Sequence, residues 1–328
     1  MSPTEWGVHL ARPVTVREVE LLERSGIQVV TVSLPWAWME RREGNFDFTA
    51  LHHLLRPLKD SSLRVQGLLG PAMWHALPEW LRGRGGADAP GFVDAYARYC
   101  GRLVAELDVL IAVRVEDDLN SAHPWETLRT RRRRGRRWRD RSFRAELLLA
   151  ASEAVRAQRP ELEQRVSLQA GALGWARELG SWLKQGLQVE RIGLSFSPCS
   201  WFFDPQRGAS LAGPLARLAS LLAASAQAGG TLPEVARVSY PTHRVSWTPR
   251  RQRQFLACAA RSAQKGGAVA VHWSTLRDQA YDDPSLGYWT PARERHQGLL
   301  YYDGSPKPAM DELRVLATGD RYGEGGSR

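Results

Sequence analysis

The sequence predicts an α/β protein built as a single (β/α)8 barrel, the TIM-barrel fold, over residues 1–319. Three observations lead to this prediction. Eight short apolar segments recur along the chain, helical patterns alternate with them, and no glycine-rich phosphate loop follows the first segment. Apolar strands that alternate with helices pair in parallel, with both faces covered. The number eight favours a closed barrel over an open doubly wound sheet.

The predicted strands are Trp6–Leu10, Ile27–Leu34, Val65–Leu69, Val109–Val115, Val166–Ala170, Ile192–Phe196, Val235–Tyr240 and Ala268–Trp273. The predicted helices are Thr15–Arg24, with Thr15 as a candidate cap, then Phe92–Leu107, Arg144–Ala157, Leu211–Ala228 and Pro249–Gln264, with a shorter one within Ala176–Leu187. Residues 320–328 are predicted to be a flexible tail. A barrel of this type gathers its functional residues where strands end and the following loops begin.

The composition predicts a soluble globular protein, with 43% hydrophobic and 24% charged residues and no apolar run long enough to cross a membrane. The first ten residues lack the pattern of a signal peptide, so we expect a cytoplasmic location. Cys100, Cys199 and Cys258 lie far apart without a ligand pattern. They predict buried thiols rather than a disulfide or a metal site, and no motif predicts a cofactor.

Most of the net charge of +10 comes from one segment, residues 129–144, which contains ten arginines. It is predicted to be an insertion in the loop after strand four. Such a segment is either a solvated, flexible loop or an anion-binding loop in which Trp138 and Phe143 add stacking surface. The candidate anion-binding residues are Arg131, Arg132, Arg133, Arg134, Arg136 and Arg137. An acidic polysaccharide or, less readily, a nucleic acid would suit them.

The predicted strand ends carry aromatic and acidic residues. Strand four ends in three consecutive carboxylates, Glu116, Asp117 and Asp118, which are costly to bury together and therefore predict a cleft or an opening into solvent. Many of the 13 tryptophans fall at strand ends, among them Trp36 and Trp273. Flat aromatic surfaces beside carboxylates and amides suit sugar rings, so this rim predicts a carbohydrate ligand.

Three motifs resemble the clan of barrel glycoside hydrolases that contains β-glucosidases, β-galactosidases and cellulase-like enzymes. They are the segment 38–51 after strand two, the segment 74–80 after strand three, and the segment 298–309 before the last helix. The resemblance extends from Trp6 to about Leu316 and implies a retaining mechanism in which two glutamates act as acid/base and nucleophile. Such a mechanism requires the two carboxyl groups to lie about 5 Å apart.

Both catalytic positions implied by the resemblance are substituted. Asp118 stands where the acid/base glutamate is expected, and Arg237 stands where the nucleophile is expected. Arginine stays protonated and cannot attack an anomeric carbon. Thr31 and Ser197 replace a substrate-binding arginine and a supporting tyrosine of the clan. The resemblance and the rim together assign substrate binding to Trp36, Trp74, His75, Asp117, Asn120, Tyr240 and Trp273.

The sequence therefore predicts a catalytically degenerate, carbohydrate-binding barrel, and its arginines favour an anionic glycan as the ligand. Glu234 is not expected to replace the nucleophile, because three residues from Arg237 it should point to the opposite face of the strand. The alternative is an active, inverting glycosidase with Asp118 as the acid and Glu40, Asp278 or Asp282 as the base, about 6.5 to 9.5 Å away. A weaker alternative is nucleic-acid binding through the arginine-rich loop.

Overall fold

Eight parallel strands close into a barrel in which each strand pairs with its neighbours in chain order. The structure is a computed structural model and describes residues 4–70, 77–115, 118–120, 137–196, 210–225, 228–243, 247–279 and 295–319. The strands are β1 Glu5–Leu10, β2 Val29–Ser33, β3 Arg64–Leu68, β4 Leu110–Arg114, β5 Glu163–Gln169, β6 Arg191–Phe196, β7 Leu232–Val238 and β8 Ala270–Ser274. The predicted (β/α)8 barrel is confirmed, with a strand at each predicted place.

Helices surround the barrel and are numbered here in chain order. They are α1 Val16–Arg24, α2 Trp36–Met39, α3 Thr49–Leu55, α4 Glu79–Gly83, α5 Phe92–Glu106, α6 Arg141–Gln158, α7 Trp175–Lys184, α8 Ala212–Ala223, α9 Pro249–Lys265 and α10 Pro308–Thr318. Short 3-10 turns occupy Arg56–Leu58, Gly86–Asp88 and Arg137–Arg139. Within the described ranges, no helix is long and apolar enough to span a membrane.

Helix starts follow the predicted capping chemistry. The Thr15 hydroxyl accepts a hydrogen bond from the backbone N–H of Glu18 at 3.3 Å, and the Glu18 carboxylate accepts one from the Thr15 backbone at 2.9 Å. This reciprocal capping box satisfies two donors that a helix start otherwise leaves open. At the start of α9 the Thr248 hydroxyl accepts a hydrogen bond from the Arg251 backbone N–H at 3.2 Å, and Pro249 occupies the first helical position, where its missing N–H costs nothing.

The apolar core lies between the outer face of the barrel and the helices. Val8, Val30 and Val113 are fully buried there. Cys100 and Cys258 are buried as well, as predicted, whereas Cys199 lies outside the described residues. This layer explains why the strands appear as apolar runs in the sequence, since every second side chain packs against a helix.

The interior of the barrel is charged rather than apolar. Arg114 and Arg165 are fully buried, and both reach Glu234, at 2.8 Å from Arg114 Nη2 and 3.3 Å from Arg165 Nη1. Toward the amino ends of the strands, Arg191 contacts Glu5 at 2.7 Å and Glu163 at 2.7 Å. Buried charges are tolerated only when they are paired and hydrogen-bonded, and this network meets that condition.

A register shift in β7 corrects one expectation from the sequence. Leu194 pairs with Val235, but the next residue, Ser195, pairs with Arg237, so one extra β7 residue is accommodated at Ala236. The extra residue interrupts the alternation of inward-facing and outward-facing side chains along β7. Glu234 and Arg237 therefore both point into the barrel, and the prediction that Glu234 faces outward is wrong.

Candidate functional site

An ion pair joins the end of β4 to β7 at the carboxyl-terminal rim of the barrel. Arg237 Nη2 donates to Asp118 Oδ2 at 2.8 Å. The Asp118 side chain is 6% exposed and the Arg237 side chain is 30% exposed. The two positions at which the resemblance expects two glutamates thus hold a carboxylate and a guanidinium in direct contact.

Local backbone geometry places Asp118 toward the cleft. Its φ is +53°, the left-handed region that aspartate tolerates better than most residues. Its backbone N–H donates to the Ser167 hydroxyl of β5 at 3.1 Å, and the same hydroxyl lies 3.4 Å from Asp118 Oδ1. Ser167 therefore supports both the backbone and the carboxylate of Asp118, a role that the sequence reasoning missed.

A signal for Ser167 is present in the sequence. Polar residues alternate with apolar ones along β5, since Arg165, Ser167 and Gln169 flank Val166 and Leu168. Such alternation indicates a strand with one polar face. In a barrel with helices outside, that face is the interior.

Asn120 is close to the site but is occupied by the backbone. Its Oδ1 accepts from the Gln169 N–H at 2.7 Å, and its Nδ2 donates to the Gln169 carbonyl at 3.3 Å. Both ends of the amide thus fix the end of β5 to the segment after β4. Asn120 therefore positions this segment, and its substrate-binding role stays a prediction.

Trp36, a predicted sugar platform, is part of the core. It is fully buried, its indole N–H donates to Glu40 at 2.5 Å, and its ring stacks on Tyr99 at 5.1 Å between centroids. Because α2 begins immediately after β2, the ring turns behind the strand and not over the cleft. The prediction for Trp36 is therefore wrong in this structure.

Trp273 and Tyr240 also belong to the outer core. Trp273 lies between His272 and Ser274, pairs in register with Val8, and packs against Phe255 of α9. Tyr240 is fully buried, with its ring 5.1 Å from that of Phe255. A side chain on the helix-facing side of a strand cannot reach a ligand inside the barrel. Both assignments to substrate binding are corrected accordingly.

The described carboxylates proposed as inverting bases serve structural contacts. Glu40 is fully buried and accepts from Trp36 and from the Gly44 backbone at 2.6 Å. Asp278 is 4% exposed and accepts from Lys307 Nζ at 2.7 Å and from the Gly298 backbone at 2.9 Å. Burial lowers the pKa of Lys307, and Asp278 opposes this effect. Neither carboxylate is available to activate a water in the cleft.

The end of the arginine-rich segment is folded. Its last four residues start α6, and Arg144 is buried in an ion pair with Glu178 at 2.5 Å. The Arg137 guanidinium lies 4.3 Å from the centroid of the Phe143 ring. Phe143 itself is 2% exposed, so its predicted role as stacking surface for a ligand is wrong.

Several predicted site residues lie outside the described residues. They are Trp74, His75, Glu116, Asp117, Arg131, Arg132, Arg133, Arg134, Arg136, Ser197 and Asp282. Their roles, and nucleic-acid binding through the arginine loop, stay predictions. Among the residues that the structure does describe, no group of histidine, cysteine and carboxylate side chains is arranged to hold a metal ion.

Comparisons with known proteins point to the same clan as the motifs. Residues 4–84 match the family model Glyco_hydro_42, described as β-galactosidase. That match covers about a quarter of the chain and includes the segment after strand two on which the resemblance rests. No curated protein sequence matches the chain significantly.

Solved structures extend the likeness to nearly the whole chain. The exo-β-1,4-mannosidase Op5Man5 from Opitutaceae bacterium strain TAV5 has a TM-score of 0.70 at 15% identity, over 96% of this chain and 59% of that one. The chain shares the (β/α)8 barrel fold of this structure. GH5_18 from Streptomyces cattleya in complex with GlcNAc has a TM-score of 0.69 at 16% identity, over 96% and 80%.

A β-galactosidase from Rahnella sp. R3 has a TM-score of 0.67 at 12% identity, over 97% of this barrel and 56% of that chain. This barrel thus spans less than two thirds of the mannosidase and of the β-galactosidase. At these identities the likeness establishes the fold, and the neighbours' activities enter only as a basis for proposals.

Proposed function

We propose that this barrel binds carbohydrate and has lost the glycosidase chemistry of its structural neighbours. The observation that supports the proposal is the 2.8 Å contact between Arg237 and Asp118 at the rim. A retaining mechanism needs two carboxyl groups across the sugar bond. Here Arg237, a cation, occupies one of the two positions and is hydrogen-bonded to Asp118 at the other.

The donor and acceptor roles within this pair oppose acid catalysis. A general acid must carry a proton and donate it to the leaving oxygen. Asp118 Oδ2 instead accepts a charge-assisted hydrogen bond from a group that stays protonated. The pair therefore holds Asp118 as an acceptor, and Arg237 offers no lone pair for nucleophilic attack.

The same pair suits recognition of sugar hydroxyls. A guanidinium donates through N–H groups and a carboxylate accepts through its oxygens, and sugar hydroxyls can bind to both kinds of group. Arg237 is 30% exposed, and Ser33, at the end of β2, is exposed on the same rim. Neighbouring donors and acceptors of this type can bind vicinal hydroxyl groups while a rigid barrel holds them in place.

The first experiment is a turnover assay on a panel of aryl glycosides with the wild-type protein and with Asp118→Ala. We expect no turnover above the buffer rate for either protein. Turnover by the wild type that Asp118→Ala abolishes would overturn the proposal in favour of the inverting glycosidase.

The second experiment measures binding to a glycan array and then by calorimetry on the best ligand. We expect Arg237→Met to weaken binding about tenfold, since it removes charge-assisted hydrogen bonds, while Arg237→Lys retains part of the affinity. Arg17→Met, on the exposed face of α1, is the matched control and should bind like the wild type. A wild-type protein that binds no glycan contradicts the proposal.

A further inference from the structure

A cavity of about 510 Å³ opens where β5 ends, beside the cleft. Residues 170–177 form one wall, and three arginines from three helices complete the lining. Arg141 begins α6, Arg177 lies in the first turn of α7, and Arg217 projects from α8. Three cations from separate elements thus converge on a single space.

The charge in this cavity is not balanced by the described residues. Among the described residues, no aspartate or glutamate lines the cavity, and none forms an ion pair with any of the three guanidinium groups. Glu178, the acid in the first turn of α7, is bonded to Arg144 instead. Like charges held together raise the free energy of the folded protein, and an anion bound between them lowers it again.

All three arginines are exposed, and two of them lie beside residues 174 and 175 of the cavity wall. The Arg217 guanidinium lies 5.8 Å from the centroid of the Trp175 ring. Arg141 Nη2 lies 3.4 Å from the place that a Cβ on Gly174 would occupy, and Gly174 has a φ of +80°. A side chain at Gly174 would therefore crowd Arg141 and strain the backbone. Gly174 also starts α7 without a side-chain cap, which adds the positive end of the helix to the same space.

We infer that this cavity binds the acidic group of a glycan, a carboxylate or a sulfate, whose neutral part extends into the cleft. The inference rests on the proposed function and adds its substrate class. Ser167 touches Asp118, Gln169 is bonded to Asn120, and the cavity begins at the next residue, Ala170. The cavity therefore adjoins the β5 side of the cleft. The volume of the cavity lies in the range of small-molecule binding sites and is larger than the volume that an inorganic anion alone would fill.

Calorimetry with three probes tests this inference: inorganic sulfate, a sulfated oligosaccharide, and the unsulfated oligosaccharide with the same backbone. The variant is Arg141→Gln/Arg177→Gln/Arg217→Gln. The control is Arg17→Gln/Arg24→Gln/Arg314→Gln, which removes the same charge from exposed positions on α1 and α10. We expect the variant to lose at least about tenfold in affinity for sulfate and for the sulfated sugar, and to bind the neutral sugar as the wild type does.

The outcomes separate the two proposals. Sulfated-sugar binding that is unchanged in the triple variant, or weakened equally in the control, overturns the cavity as an anion site and leaves carbohydrate binding intact. Sulfate binding that disappears in the triple variant, with no binding of either sugar, supports the anion site and overturns the proposed function. Circular dichroism of both triple variants verifies that they are folded.

Discussion

Two ion pairs connect the β4 segment to β7, and they differ in polarity and in burial. In the lower pair β4 supplies the cation, Arg114, and β7 supplies the anion, Glu234, with both side chains fully buried. In the upper pair the order is reversed, since Asp118 follows β4 and Arg237 lies on β7, and Arg237 is 30% exposed. The two pairs have the same N–O distance, 2.8 Å.

The proposed function assigns different roles to the two pairs, and burial rather than contact geometry distinguishes them. The lower pair is fully buried, and Arg165 and the Ala236 carbonyl are among its further hydrogen-bond partners. The upper pair is partly exposed at the rim, through Arg237. The two pairs are therefore expected to respond differently to mutation, although their distances are equal. Removing one partner of the lower pair should destabilise the fold, whereas removing one partner of the upper pair should change ligand binding.

The largest effect is expected for Glu234→Gln, which keeps the shape but removes the charge that Arg114 and Arg165 share. We expect the free energy of unfolding to fall by about 3 to 5 kcal/mol, because two buried guanidinium groups lose their main counter-charge. Urea denaturation at neutral pH measures it. The double variant Arg114→Met/Glu234→Leu should be less damaging than Glu234→Gln. If Glu234→Gln lowers the free energy of unfolding by less than about 1 kcal/mol, the lower pair does not have the structural role expected of it.

A second large effect is expected for Gly7→Ala, which disturbs the packing of the charged interior without changing a charge. A Cβ at Gly7 would lie 2.2 Å from His272 Nδ1, so the ring would have to move away from the network. We expect a loss of about 1 to 3 kcal/mol in the free energy of unfolding, as for other overpacked cores. Gly213→Ala in α8, where nothing lies within 4 Å, is the control and should be neutral or slightly stabilising. Equal effects of the two changes would contradict close packing at Gly7.

An effect of intermediate size is expected in the pH dependence of the free energy of unfolding. Burial lowers the pKa of His272 well below 6.5, and the nearby Arg114 and Arg165 lower it further. The folded protein thus keeps His272 neutral, whereas the unfolded chain protonates it below about pH 6.5. The unfolded state then binds more protons, so stability falls as pH decreases from about 6.5, with a slope of up to about 1.4 kcal/mol per pH unit.

The variant His272→Gln removes this dependence and is compared with the wild type by urea denaturation between pH 7 and 5. We expect the difference in stability between the two proteins to shrink as pH falls. Glu5 does not interfere: burial raises its pKa, but Arg165 and Arg191 outweigh burial and hold it below 4.5, so its contribution is lost only at lower pH. A parallel pH profile for both proteins would show that His272 is not kept neutral by folding.

The smallest effect on stability is expected for Asp118→Asn in the upper pair. Because Arg237 remains partly solvated, we expect a loss of about 1 kcal/mol or less in the free energy of unfolding. The same variant should weaken glycan binding clearly, which Glu40→Gln, a change in the core, should not do unless it unfolds the protein. A loss as large as that of Glu234→Gln would show that the rim pair is structural.

Much of the fold was predictable from the sequence. The placement of Asp118 and Arg237 across the barrel from each other was predictable as well. Eight apolar segments gave the strands, because a strand packed against helices needs apolar residues on its outer face. The resemblance to barrel glycoside hydrolases implied Asp118 and Arg237 as the two substituted positions, and the structure joins them directly. The roles of the aromatic residues were not predictable in this way. Trp36, Tyr240 and Trp273 lie near strand ends, but proximity along the chain does not tell a ligand platform from a core residue.

The sequence by itself determined the barrel and the parallel order of its strands, since these depend on local periodicity. Its resemblance to barrel glycoside hydrolases implied the two residues that meet at the rim. Only the tertiary structure decided which side chains face inward. One extra residue in β7 moved Glu234 into the barrel, because alternation along a strand survives only while the register is unbroken. The arginine cavity likewise exists only in the folded chain, since Arg141, Arg177 and Arg217 come from three helices that packing alone brings together.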